Sequence, residues 1–103
     1  MGKIKVLICH GQQIYCDGLS RLLMDEADIE IVGKAPDGEK AISMAKELNP
    51  DVAIIHIVIP KLYGIETARQ ITRDCPGTAS LILSGYNYGE NLLPSLRAGA
   101  LGY

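Results

Sequence analysis

Apolar positions fall along the chain in short blocks of two alternating kinds. Ile4–Cys9 (IKVLIC) is apolar throughout except for Lys5, is rich in β-branched residues and stops at His10-Gly11. Such a run predicts a strand buried on both faces. Residues 12–25 then place Tyr15, Leu19, Leu22 and Leu23 at i, i+4, i+7 and i+8, which predicts the inner stripe of an amphipathic helix. Ile29–Val32 (IEIV) predicts a second short strand, ended by Gly33. Asp37 stands where an N-cap belongs, before a helix over 38–48 whose inner face is Ala41, Ala45 and Leu48. Asn49-Pro50 ends that helix, because the residue before a proline is driven out of the helical region.

The second half repeats the alternation. Residues 52–57 (VAIIHI) predict a third strand, and Pro60 ends that segment. Ile65, Ala68 and either Ile71 or Thr72 mark a third helix, closed by Cys75-Pro76-Gly77. Leu81–Leu83 predicts a fourth strand, and GYNYG over 85–89 a loop. Leu93, Leu96 and Ala100 form one face of a fourth helix, which Pro94 compels to start late. Leu101–Tyr103 opens a fifth strand. Strands alternating with helices predict βαβ units and a parallel sheet, and right-handed crossovers wind it into a three-layer α/β sandwich. With no internal repeat or linker, residues 1–103 read as one domain.

Composition narrows the function classes. Of the 103 residues 48% are hydrophobic and 21% charged, ordinary globular usage that excludes disorder. Ten Lys plus Arg against twelve Asp plus Glu leave a net charge of -2, so the segment itself is a poor nucleic-acid binder. No apolar run approaches the ~18 residues of a membrane span, and the stretch before His10 is too short for a signal peptide. Cys9, Cys16 and Cys75 form no CxxC pair and read as reduced thiols of a cytoplasmic protein.

In an open parallel sheet, ligands bind beyond the carboxyl ends of the strands where the strand order reverses. His10-Gly11-Gln12-Gln13 follows the first strand, His56 falls at the end of the third, and Ser84-Gly85 follows the fourth. In a flavodoxin-like order 2-1-3-4-5 the first and third strands are neighbours, so His10 and His56 share one edge. A one-residue slip in either strand would turn one imidazole away.

In their order along the chain these segments resemble a response-regulator receiver domain, CheY-like and of the kind that opens NarL/LuxR-type transcription factors. The resemblance rests on IKVLIC, Gly18-Leu19 with Leu22-Leu23, IEIVGKAPDGEKAI, NPDVAIIHIVIP, GIETARQI, LILSGY and RAGALGY. It implies a doubly wound fold truncated in strand five, whose fifth helix and conserved-type lysine lie past Tyr103. It implies a phosphorylation pocket in which an acidic pair after strand one holds Mg²⁺ and an Asp ending strand three accepts the phosphoryl group. Those positions here read His10, Gly11 and His56. Pro60 matches the proline four residues past the acceptor, Ser84 the hydroxyl that senses the phosphoryl group, and Tyr103 the aromatic switch.

These departures set the expectations. Mg²⁺ takes oxygen ligands, and neither Gly11 nor an imidazole nitrogen suits it, so no Mg²⁺ and no other cofactor is expected. His56 has no carboxylate with which to form an acyl phosphate. The expected function is a regulatory, non-enzymatic receiver that works without phosphorylation. Its partner is another protein or a second copy, with DNA bound only through a C-terminal domain outside this chain. Two alternatives use the same residues: His10 and His56 as transition-metal ligands, which are few against the four of structural zinc, or as a pH sensor. The three cysteines read as packing residues, and Tyr86 and Tyr88 as either a partner surface or plain loop.

Overall fold

The computed structural model describes residues 3–56, 63–83 and, for the backbone, 100–102. They form β1 (Ile4–Cys9), α1 (Gln13–Met24), β2 (Ile29–Ala35), α2 (Gly38–Leu48), β3 (Val52–His56), α3 (Gly64–Asp74), β4 (Ala79–Leu83) and β5 (Ala100–Gly102). The first four strands pair in parallel in the order β2-β1-β3-β4, as expected for a flavodoxin-like winding, and β5 pairs with β4. The order reverses between β1 and β3. The GYNYG loop, the fourth helix, Ile57, Pro60, Ser84 and Tyr103 lie outside the described residues.

Period-two alternation along β1 sends Val6 and Ile8 to one face of the sheet and Leu7 and Cys9 to the other, and all four are buried. α1 covers the first face, where Cys16 joins Val6, Ile8 and Ile54. α2 and α3 cover the second, where Ala41, Ala45, Ala68 and Ile71 pack with Leu7, Ile55 and Ile82. The small alanines let both helices approach the sheet closely. Of the two candidates on α3, Ile71 takes the core position.

α2 is punctuated as its sequence predicts. The Asp37 carboxylate accepts from the Lys40 backbone N–H at 2.8 Å, satisfying one orphan donor of the first turn. Asn49 at φ 49° turns left-handed, and its N–H donates to the Ala45 carbonyl at 3.0 Å.

Three strand boundaries and one helix face differ from expectation. β2 does not stop at Gly33 but continues to Ala35. Val6 pairs with Ile31 and Leu7 with Gly33, so Val32 is the extra residue of a β-bulge. A Cβ on Gly33 would stand 2.5 Å from Met44 Cε, 3.1 Å from Leu48 Cδ1 and 3.2 Å from Leu7 Cδ1. The glycine therefore marks a close approach of α2 and not a strand end. β3 is described as far as His56, and its expected last residue, Ile57, lies outside the described residues. β4 starts at Ala79 rather than Leu81, because the Ala79 N–H donates to the Asp51 carbonyl at 2.9 Å and pairs with Val52. β5 starts at Ala100, one residue early.

α1 is rotated relative to the expected stripe. Cys16 and Ser20 are buried and Leu19 and Leu23 pack beside them, whereas Tyr15 is 59% and Leu22 71% exposed. Positions 16, 19, 20 and 23 also satisfy helical spacing. Two small side chains at its centre bring α1 near the sheet, and this set wins over the larger apolar residues.

Candidate functional site

The strand register builds the site. Cys9 of β1 pairs with Ile55 of β3, so the next residue of each, His10 and His56, stand side by side at the switch point. Their ring centroids are 4.3 Å apart with planes tilted by 41°. Tyr15, from the first turn of α1, stacks on His10 at 4.6 Å and 20°. Tyr15, His10 and His56 thus make a column of three rings in contact through His10. The sequence reading brings the two histidines together correctly but assigns Tyr15 to the core. The missed signal is direction: helical side chains lean toward the N-terminus, which in the first turn is the strand end.

His10 is held by its backbone and by its ring. Its N–H donates to the Ala35 carbonyl at 3.1 Å, and the Cys16 thiol donates to its carbonyl at 3.7 Å. The Gln12 N–H donates to His10 Nδ1 at 3.0 Å, which fixes the neutral tautomer with the proton on Nε2. Gln12 is also the N-cap of α1: its carbonyl accepts from Tyr15 and Cys16, its side chain caps nothing, and the first turn holds no acid. Partial burial and then the neighbouring His56 hold the His10 pKa below its ordinary value.

A small cavity of about 70 Å³ beside His10 is lined by Gln13, Cys16, Lys34, Ala35 and Pro36. It has room for water and not for an organic ligand. Its one cation is already matched, since Lys34 Nζ lies 2.9 Å from Asp17 Oδ1, which also accepts from Gln13 at 3.2 Å. These bonds hold the Asp17 carboxyl below the usual range. The exposed pair contributes little to stability. Gly11 is exposed and offers no side chain.

Among the described residues no group of three His, Cys, Asp or Glu side chains could hold a metal ion. The two imidazoles lie 4.3 Å apart with planes tilted by 41°, and His10 Nδ1 is already occupied as an acceptor from the Gln12 N–H.

The thiols are quenched by position. Burial, with Cys16 and Asp37 adding to it, pushes Cys9 up to about 12, and its Sγ donates to the Asp37 carbonyl at 3.5 Å. Cys9 should therefore resist a maleimide at pH 8 in the folded domain and react once denaturant is added, since the thiolate is the nucleophile. Stoichiometric native labelling at Cys9, read by peptide mass, would contradict this burial.

A family model, the response regulator receiver domain, matches residues 6–103, and the chain belongs to that family. It is a receiver and not an enzyme. It is 33% identical over 101 residues to the transcriptional regulatory protein DegU of Brevibacillus brevis, covering 98% of this chain and 43% of that protein. It is likewise 33% identical over 100 residues to the transcriptional regulatory protein LiaR of Bacillus subtilis, covering 97% of this chain and 47% of LiaR. The chain thus spans less than half the length of these relatives. The receiver domain of the putative response regulator NarL from Mycobacterium tuberculosis superposes with a TM-score of 0.94 at 25% identity, over 99% of this chain and 82% of that one. The response regulator domain of Thermotoga maritima CheB does so with 0.91 at 29%, over 97% and 75%. Among the described residues no helix is long and apolar enough to cross a membrane.

Proposed function

We propose that this chain is the regulatory receiver of a response regulator that signals without phosphoryl transfer to a carboxylate. The observation that carries this reading is the chemistry at the strand ends. The positions that resemble the family's acidic pair and acceptor hold His10, Gly11 and His56, and the two imidazoles are packed against each other. A hard divalent cation finds no carboxylate pair there, and an acyl phosphate has no carboxylate from which to form. Relatives described as transcriptional regulatory proteins are about twice as long as the matched segment, which supports an output domain that binds DNA elsewhere in the full regulator. The receiver then acts through a protein partner or a second copy, in the cytoplasm.

The test is intact-mass measurement after incubation with acetyl phosphate and Mg²⁺. The expected spectrum shows no gain of ~80 Da, the mass of one phosphoryl group. A stoichiometric adduct that shifts the oligomeric state would overturn the reading. The metal alternative is less favoured, because His10 Nδ1 already accepts from the Gln12 N–H and a third donor is lacking among the described residues.

A further inference from the structure

We infer that His10 is a proton-operated latch on the start of α1: its neutral ring ties down the β1–α1 turn through the Gln12 N–H, and protonation releases that turn. The inference rests on the reading above that the pocket serves regulation without a phosphoryl group, and it names the input.

The bond from Gln12 to His10 Nδ1, at 3.0 Å, needs a lone pair that an imidazolium lacks. On protonation two N–H donors would face each other across that distance. The new charge would also sit at the N-terminus of α1, where the helix dipole repels a cation and where neither the Gln12 side chain nor a first-turn acid compensates. His56, ring to ring with His10 at 4.3 Å, opposes a second positive charge on the same edge.

Among the described residues the surroundings supply no relief. From α1 come the Tyr15 ring, the Gln13 amide and the Cys16 thiol, the last bonded to the His10 carbonyl. From β2 comes Lys34, whose charge is matched by Asp17. From β3 comes His56. Among the described residues no carboxylate pairs with the His10 ring. The Tyr15 face does attract a cation, which keeps the ring in its stack and confines the release to Gln12 and the first turn.

The sign of the pH effect follows. His10 is depressed below 6.5 in the folded domain by burial and by His56. Between that depressed value and the unfolded one the unfolded chain binds more protons, so stability rises with pH across this window. The latch is complete above about 6.5 and is lost as pH falls through the folded pKa.

The experiment is an NMR titration of the domain without phosphodonor or metal, following the imidazole carbons of His10 and the exchange of the Gln12 amide. The expected His10 midpoint lies below 6.5. Protection of the Gln12 amide should fall about five- to tenfold as His10 protonates, the ratio a hydrogen bond of ordinary net strength supports. Ala41, in α2, should stay unchanged. His10→Asn retains an acceptor two residues before Gln12 but does not titrate, so it should abolish the acid-side loss. His56→Gln should raise the His10 midpoint. A midpoint at or above 6.5, a Gln12 amide indifferent to His10, or an unaltered acid transition in H10N would each overturn the latch. A phosphoryl adduct in the mass experiment would sink the functional reading and leave these titration results as they stand.

Discussion

Substituting acids at all three pocket positions, His10→Asp with Gly11→Asp and His56→Asp, should lower the melting temperature in the absence of divalent cations. The native pocket carries no carboxylate at positions 10, 11 or 56, and Tyr15, His10 and His56 pack there ring against ring. The triple variant removes both contacts and puts three carboxylates within a few ångströms, where each raises the others' pKa and repels them when ionised. One native feature survives, because a carboxylate at position 10 can still accept from the Gln12 N–H. The net loss is expected to be about 1–3 kcal/mol, the usual span of disruptive substitutions. For a domain of this size that corresponds to roughly 5–20 °C. Added Mg²⁺ should recover part of the loss in the variant and leave the parent unmoved, since a ligand stabilises only the state that binds it. Thermal melts with EDTA and with Mg²⁺ read both effects. A variant as stable as its parent in EDTA would mean that the histidine pocket relieves no repulsion.

The parts of the fold legible in the sequence are those where one residue has one physical job. Asp37 before an apolar period can only cap, Asn49-Pro50 can only stop, and both do so. β1 is legible because continuous apolar runs belong to central parallel strands. The same logic places His10 beside His56 with no knowledge of distances, since neighbouring parallel strands in register end together. Gly33 is illegible because glycine serves two purposes. It ends strands, and it also admits a close-packed helix at a bulge; only Met44, Leu48 and Leu7 around it decide which. α1 is illegible for a related reason. Two helical stripes offset by one residue both satisfy the spacing, and hydrophobicity ranks Tyr15 and Leu22 above Cys16 and Ser20. Volume reverses the ranking, because the helix sits close to the sheet and only small side chains fit between. The hydrogen bond from Gln12 to His10 carries no sequence signal at all, because histidine has no standing preference as a turn acceptor.

The rotated α1 makes the last prediction, which compares two apolar residues that the sequence treats alike. Ile55, at the centre of β3, pairs with Cys9 on one side and Ile82 on the other and is fully buried. Ile55→Ala should cost about 2–5 kcal/mol, the transfer of the lost methyl groups plus the cavity that a sheet strand cannot collapse to fill. A domain of about 100 residues holds roughly 5–15 kcal/mol in all, so this one change should move the urea midpoint far down or leave the chain unfolded at 37 °C. Leu22 is 71% exposed on the outer flank of α1. Leu22→Gln should change stability by no more than about 0.5 kcal/mol, since glutamine suits an exposed helical position as well as leucine does. Urea unfolding of both variants in the same buffer checks the pair. Comparable losses would place Leu22 in the core and return Cys16 and Ser20 to the surface. That outcome would swing Tyr15 away from His10 and dissolve the ring column, because the stack exists only while α1 presents its small residues to the sheet.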